Sequence, residues 1–198
     1  MSPSRFRVRI IFRRPVLFVA RFFIRAGVQP DTITYLSLFV AVLAWLLLMI
    51  LRMPLVYGLL VFTVGFLDGV DGAVARGTGT ASNKGAFTDS FVDKVSEAVI
   101  LLAIGVAYSD EYFLGLSVPL WSAVCLAGWL LTSYAKSRAD VLGVKDLDIG
   151  LGGRSERLLI LSVFSVFGLL LWGLFAATLI GLLTAGYRYS YYKSEIHG

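Results

Sequence analysis

Cysteine and histidine, the side chains that bind zinc and other soft metals, are almost missing from this chain. Its 198 residues include one cysteine, Cys125, and one histidine, His197. One cysteine can form neither an intrachain disulfide nor a thiol metal site, and zinc is a poor match where His and Cys ligands are lacking. We interpret Cys125 as a small buried side chain and His197 as uninvolved. The chemistry must therefore rest on carboxylates, lysine, arginine and hydroxyl groups.

Charged residues are also scarce: they make up 16% of the chain, whereas hydrophobic residues make up 58%. A soluble domain of this length needs more polar residues to cover its surface, so the composition indicates one membrane-embedded domain. The net charge of +5 does not indicate nucleic-acid binding, because the basic residues stand at the ends of apolar segments. Their positions fit an anionic membrane surface and a phosphorylated substrate.

Apolar runs predict an all-α integral membrane protein with six transmembrane helices. The runs cover residues 32–51, 53–67, 96–109, 112–135 and 158–187. The last run would be ~45 Å long as a straight helix, too long for one span, so we predict two spans joined by a turn at Trp172-Gly173. Five spans is the alternative. With six spans and a cytoplasmic N-terminus, all 18 Lys and Arg residues except Arg52 lie on the cytoplasmic side.

Residues 1–28 precede the first span and are predicted to form an amphipathic helix on the cytoplasmic membrane surface. Arginines alternate with apolar residues there, which is typical of interfacial helices. These arginines are Arg5, Arg7, Arg9, Arg13, Arg14, Arg21 and Arg25. Residues 29–198 would then form a six-helix bundle, with both chain ends and the active site on the cytoplasmic side of the cell membrane.

Carboxylates occur in helices that should exclude them. Asp68 and Asp71 are three residues apart, and Asp89, Asp93 and Glu97 recur every four residues, so each set lies on one helix face. A carboxylate inside the bilayer costs at least ~2.5 kcal/mol, and facing carboxylates repel each other. Bound Mg²⁺ or Mn²⁺, or Ca²⁺, would relieve both effects. An ion transporter is the non-enzymatic alternative, but its acids would be spread across the membrane depth.

These acids belong to a longer pattern. Asp68-Gly-Val-Asp71-Gly72-Ala-Val-Ala75-Arg76, then eight residues, Gly85, three residues, Asp89, three residues and Asp93 match every fixed position of D-x-x-D-G-x-x-A-R-x8-G-x3-D-x3-D. The chain therefore resembles the CDP-alcohol phosphotransferase family. The resemblance implies two Mg²⁺ ions, or Mn²⁺, held by the four aspartates, with Asp93 also the general base. It further implies a CDP-linked lipid donor, release of CMP, and a homodimer. Glu97 lies outside the signature.

Other residues are predicted to hold the CDP group. They are Asp31, Thr34, Gly72, Arg76, Ser82 and Gly85. The stretch Gln29-Pro-Asp-Thr-Ile-Thr34 resembles the family's P-[DN]-x-[IL]-T sequence, although Asp31 has a helix N-cap as its alternative role. Arg76 stands where a phosphate would meet the helix end, with a solvated loop as the alternative.

Basic residues at the predicted cytoplasmic helix ends indicate an acceptor alcohol that carries a phosphate. They are Lys136, Arg154, Arg157 and Arg188; the alternative for each is contact with lipid headgroups. Residues 133–143 and 156–158 resemble the inositol-phosphate-using branch, which includes phosphatidylinositol phosphate synthase and archaetidylinositol phosphate synthase. Ser137 and Asp140 depart from the branch's commoner Ala and Glu.

The predicted reaction therefore joins CDP-diacylglycerol or CDP-archaeol to inositol phosphate. Two alternatives keep the same chemistry. In one, glycerol 3-phosphate is the acceptor. In the other, CDP-inositol is the donor and the product is di-myo-inositol phosphate phosphate.

Overall fold

The computed structural model describes residues 11–150 and 152–196. Within these residues the chain forms seven helices and one short hairpin. The elements are α1 Arg13–Arg25, α2 Pro30–Leu51, α3 Pro54–Thr78, α4 Asn83–Ala107, β1 Tyr112–Phe113, β2 Leu116–Ser117, α5 Val118–Val141, α6 Arg154–Val166 and α7 Leu170–Glu195. The predicted surface arginines Arg5, Arg7 and Arg9, and His197, lie outside the described residues.

The six helices after α1 are arranged as a closed ring. Helix α2 contacts α3 and α4, α3 contacts α6, α6 contacts α7, α7 contacts α5, and α5 contacts α4. Helix α1 lies outside this ring against α3. Few contacts join α3 directly to α4. The carboxylates carried by these two helices therefore face each other across a gap.

Local sequence signals explain where the long helices begin and end. Pro30, Pro54 and Pro119 stand in the first turns of α2, α3 and α5, where a missing N–H removes no helical hydrogen bond. Gly79 ends α3 in a left-handed conformation with φ +69°, which costs glycine little. Four residues later α4 begins, so the two acid-bearing helices are joined by a tight connection.

Four helices are long and apolar enough to cross a membrane: α2, α3, α5 and α7. Helix α4 has 25 residues but is too charged, because Asp93, Lys94 and Glu97 lie near its middle. Helix α6 has only 13 residues, or ~20 Å. The described residues thus contain four clear candidate spans, and these indicate a multi-pass membrane protein.

The predicted turn at Trp172-Gly173 is wrong. The chain turns at residues 167–169 instead, where Gly168 has φ +75°, and Trp172 and Gly173 both lie inside α7. A Cβ on Gly173 would stand 2.7 Å from the Cβ of Phe164, so this glycine allows α6 and α7 to approach closely. Both glycines sit in one uninterrupted apolar run, which is why hydropathy alone does not distinguish a turn from a packing contact.

The run at residues 112–135 was also predicted as one continuous helix, and its beginning differs. Tyr112 to Ser117 forms the β1–β2 hairpin, with Leu114 and Gly115 at positive φ in its turn. Helix α5 starts only at Val118. The apolar hairpin residues have the composition of a membrane helix, so the hydropathy pattern does not reveal the turn.

Candidate active site

Three carboxylates come together at the gap between α3 and α4. Asp68 and Asp71 lie near the C-terminal end of α3, and Asp89 lies in the first turns of α4. One oxygen from each of the three lies within 4.8 Å of the others. Asp71 is buried, while Asp68 and Asp89 are half-buried. An all-oxygen, negatively charged set of this kind fits a hard divalent cation.

Asp71 is the most firmly held of the three. The hydroxyl of Thr34, on α2, donates to Asp71 Oδ2 at 2.8 Å, and the backbone N–H of Gly72 donates to Oδ1 at 2.5 Å. Both carboxylate oxygens are therefore oriented before any ligand binds. Thr34, predicted in the nucleotide pocket, is placed here as a support for an acid. Thr34 and Asp71 are 37 residues apart in the sequence, so their spacing does not predict this contact.

The fourth signature acid, Asp93, stands slightly apart. Its carboxylate pairs with Arg154 on α6, with Oδ1 2.8 Å from Nη2, and it is not among the three clustered acids. Arg154 also contacts Asp68 through Nη1. The arginine thus neutralises two of the four predicted metal ligands, and it does so from a position that is itself almost fully buried.

Glu97 is the centre of a buried ion network behind Arg154. Its side chain is fully buried, and its Oε1 lies 2.7 Å from Lys94 Nζ, 3.3 Å from Arg154 Nε and 3.8 Å from Arg157 Nη2. The Arg157 guanidinium in turn lies 4.6 Å from the Trp129 ring centre. Sequence reasoning left the role of Glu97 open, because a stripe of acids does not reveal which of them faces cations.

The predicted nucleotide residues fall into two groups. Gly72 and Arg76 lie together, since a Cβ on Gly72 would stand 3.2 Å from Arg76 Nη1. At the start of α4, Ser82 Oγ accepts a hydrogen bond from the Gly85 N–H at 3.1 Å and so caps the helix. A Cβ on Gly85 would stand 3.7 Å from Asp31 Oδ1. Ser82, Gly85 and Asp31 therefore lie close together where α4 and α2 begin.

The alternative role considered for Asp31, that of a helix N-cap, is wrong. Gln29 occupies the N-cap position of α2, and Asp31 lies in the first helical turn with its side chain exposed. A carboxylate there complements the helix dipole, whatever else it binds.

The predicted acceptor residues are not all in one place. Arg154 lies among the acids, and Arg157 is buried beneath it. Lys136 is partly exposed and pairs with Asp148 at 2.8 Å. Arg188 is buried and donates to the backbone carbonyls of Thr132 at 2.8 Å and Ile149 at 3.1 Å. Lys136 and Arg188 are therefore both tied to the segment that joins α5 to α6.

A cavity of about 380 Å³ connects the carboxylates to an apolar wall. At one end it is lined by Asp68, Asp71 and Asp89, with Arg76 beside them. Its other walls are mostly apolar side chains of α1 and the residue before it, α3 and α6, namely Phe12, Val16, Leu17, Val61, Phe62, Phe66, Leu158 and Leu159, with Arg13 and Ser155 also in the lining. A molecule that filled it would need a hydrocarbon part and, at the other end, a polar part that binds cations held by the carboxylates.

A sequence model described as CDP-alcohol phosphatidyltransferase matches residues 27–187. The chain belongs to the CDP-alcohol phosphatidyltransferase family. It is therefore an enzyme of this transferase class, and the match covers every residue of the carboxylate cluster and the ion network around Glu97.

Two relatives within the family share its sequence over long stretches. An archaetidylinositol phosphate synthase from Pyrococcus horikoshii is 29% identical over 181 residues, which are 90% of this chain and 90% of that protein. A phosphatidylinositol phosphate synthase from Streptomyces avermitilis is 36% identical over 153 residues, which are 77% of this chain and 62% of the Streptomyces protein.

Two solved structures have the same fold as this chain. The phosphatidylinositol phosphate synthase of Mycobacterium tuberculosis in complex with manganese and citrate superposes with a TM-score of 0.75 at 23% identity, covering 90% of this chain and 88% of that one. The same enzyme with CDP-DAG bound gives a TM-score of 0.72 at 24% identity, covering 89% and 92%. At this level of identity the likeness establishes the fold alone.

Proposed function

We propose that this chain transfers a lipid phosphate group from a CDP-linked lipid, CDP-diacylglycerol or CDP-archaeol, to inositol phosphate and releases CMP. The observation that carries the proposal is the cavity that joins clustered carboxylates to an apolar wall. A CDP-lipid has the matching parts, since its diphosphate needs cations and its chains need an apolar surface. Relatives named as inositol phosphate lipid synthases support the choice of acceptor.

The donor would lie with its diphosphate at Asp68, Asp71 and Asp89 and its chains against α1, α3 and α6. Two divalent ions, Mg²⁺ or Mn²⁺, fit this all-carboxylate set, with Asp93 completing it; when bound they would neutralise the diphosphate and favour departure of CMP. Arg76 lines the same cavity and would donate to a phosphate oxygen. The cytidine would bind at the starts of α2 and α4, where Asp31, Ser82 and Gly85 lie close together.

In the transfer step the acceptor hydroxyl oxygen forms a bond to the β-phosphorus of the donor. The bond between that phosphorus and the bridging oxygen breaks, and CMP leaves with the bonding electron pair. The hydroxyl proton goes to the carboxylate of Asp93, which we assign as general base. No covalent intermediate with the protein is required, in keeping with the lack of a suitable cysteine or histidine nucleophile.

Arg154 is the residue that we expect to receive the phosphate of the acceptor. Its three guanidinium nitrogens make ion pairs, but none of them has a well-aligned hydrogen bond among the described residues. An acceptor phosphate would compete with Asp68 and Asp93 for the same guanidinium group and would free Asp93 to act as a base. Arg157 would act from beneath it. Lys136 and Arg188, which contact the segment between α5 and α6, would have to leave those partners to reach the same phosphate.

The test is a measurement of CMP release from CDP-diacylglycerol by the purified chain, with inositol phosphate, glycerol 3-phosphate or free inositol as acceptor. Release that needs both a divalent ion and inositol phosphate is the expected result. If CMP were released with glycerol 3-phosphate but not with inositol phosphate, glycerol 3-phosphate would be the acceptor instead. If no CMP were released under any condition, the enzyme assignment would be refuted. Omission of inositol phosphate from an otherwise complete reaction is the matched control.

We infer the membrane arrangement from the same residues. Helices α4 and α6 would join the four clear spans to give six, with α1 on the membrane surface and the site and both chain ends in the cytoplasm. This arrangement keeps Arg52 as the one basic residue outside. A homodimer is expected for the family, and cross-linking in membranes would test it.

A further inference from the structure

A second groove opens between α5 and α7, on the side of the ring opposite α2 and α3. The two helices touch where glycines allow it. A Cβ on Gly128 would stand 3.1 Å from Leu182 Cδ2, and one on Gly181 would stand 2.8 Å from Trp129 Cδ1. Closer to their C-terminal ends, residues of both helices line a groove of about 910 Å³.

One side of this groove is closed and the other is open. The segment after α5 covers the inner side, where Val144 and Ile149 pack with Ala139 and Tyr192. The Tyr192 hydroxyl also donates to a backbone carbonyl of that segment at 2.8 Å. On the outer side, a Cβ at Gly186 would meet no atom within 4 Å. The groove is therefore open at Gly186, towards the outer surface of the ring.

Polarity changes along the groove in one direction. Leu131 and Leu182 line the end near the glycine contact, whereas Arg138 and Lys193 line the end near the helix C-termini. Leu131 and Arg138 are separated by ~10 Å along α5. Lys193 Nζ lies 5.8 Å from the ring centre of Tyr189, another lining residue. No carboxylate is among the described residues that line the groove.

We propose that this groove binds a phospholipid with an anionic headgroup. The lipid phosphate lies between Arg138 and Lys193, and an acyl chain runs along the leucines towards Gly128. The two cations select an anionic headgroup, because no carboxylate in the lining meets the ammonium group of a zwitterionic lipid. The groove is separate from the catalytic cavity, which lies between α1, α3 and α6, so the proposal does not depend on the proposed reaction.

The test is native mass spectrometry of the purified full chain titrated with phosphatidylglycerol or, separately, with phosphatidylcholine of the same chains. Two variants alter the groove, the double variant Arg138→Ala with Lys193→Ala and the single variant Gly186→Trp. Lys145→Ala is the matched control outside the lining. We expect phosphatidylglycerol affinity to fall about fivefold for each groove cation removed and about 25-fold for both. Gly186→Trp should block binding by filling the groove.

Other results would overturn the proposal. If the unmodified chain bound phosphatidylglycerol and phosphatidylcholine with equal affinity, the proposed selectivity for an anionic headgroup would be wrong. If phosphatidylglycerol binding were unchanged in both groove variants, the groove would not be the lipid site. The same conclusion would follow if Lys145→Ala lost as much affinity as the groove variants. If Gly186→Trp turned a dimer into a monomer without reducing lipid binding, the groove would instead be an interface between two copies. Size-exclusion chromatography and thermal unfolding of each variant show whether it has folded.

Discussion

Replacement of Glu97 by glutamine tests the buried network that orients the active-site arginine. The carboxylate accepts a hydrogen bond from Lys94 at 2.7 Å and makes ion pairs with Arg154 at 3.3 Å and Arg157 at 3.8 Å, and no part of it reaches the surface. Glutamine keeps an oxygen that accepts one of these contacts but removes the charge that the three cations share. Those cations would then lie close together with less negative charge between them.

The expected loss can be estimated from similar changes elsewhere. Removal of one partner from a buried ion pair costs about 3–5 kcal/mol, and we expect the lower end, about 3 kcal/mol, because glutamine is isosteric. For a protein of this size that corresponds to a fall in Tm of about 6–12 °C. Arg154 would keep its contacts to Asp68 and Asp93 but lose its third partner, so its direction would change. The KM for inositol phosphate should therefore rise more than the KM for the CDP-lipid.

Two assays on the same detergent-purified sample check this prediction: thermal unfolding, and CMP release with each substrate varied in turn. Glu111→Gln is the matched control, because Glu111 is exposed in the connection between α4 and β1. A Tm within 2 °C of the unmodified protein, together with unchanged KM values, would refute the claim that Glu97 orients the arginines. A lower Tm with equal effects on both KM values would leave Glu97 with a structural role only.

Four further substitutions follow from the contacts. Asp93→Asn should abolish CMP release in protein that still folds, although loss of the ion pair with Arg154 should lower its Tm; near-normal turnover would exclude Asp93 as the base. Lys136→Ala should raise the acceptor KM with little change in Tm, because its ion-pair partner Asp148 lies at the surface, whereas Arg188→Ala should also lower Tm by breaking two backbone contacts. Gly58→Val should destabilise the fold by several kcal/mol, because its Cβ would stand 2.8 Å from the Ser162 carbonyl oxygen; normal thermal stability would contradict this packing.

The carboxylate site was largely predictable, because its residues obey helix periodicity. Asp68 and Asp71, three apart, do share a face of α3, and Asp89 does meet them from α4. The signature also identified the family, which the match over residues 27–187 confirms. Local spacing and a fixed pattern are enough for such features, since neither depends on how distant helices pack.

Contacts between distant helices were not predictable in the same way. Nothing in the spacing indicates that Thr34 binds Asp71, or that Arg154 lies between Asp68 and Asp93. Arg154 was expected at a helix end beside the acceptor, and only the ring order of the helices brings it to the acids. The turn at Gly168 was missed for a related reason, since the composition of an apolar run is the same on both sides of a turn.

The metal site is tested most directly by electron paramagnetic resonance of Mn²⁺ added to the purified protein, with and without CDP-diacylglycerol. Asp71→Asn is compared with Asp110→Asn, an exposed aspartate in the connection between α4 and β1. Saturable Mn²⁺ binding that is strengthened by the CDP-lipid, lost in Asp71→Asn and kept in Asp110→Asn is the predicted result. Equal Mn²⁺ binding by the unmodified protein and Asp71→Asn would contradict a divalent-ion site at these aspartates.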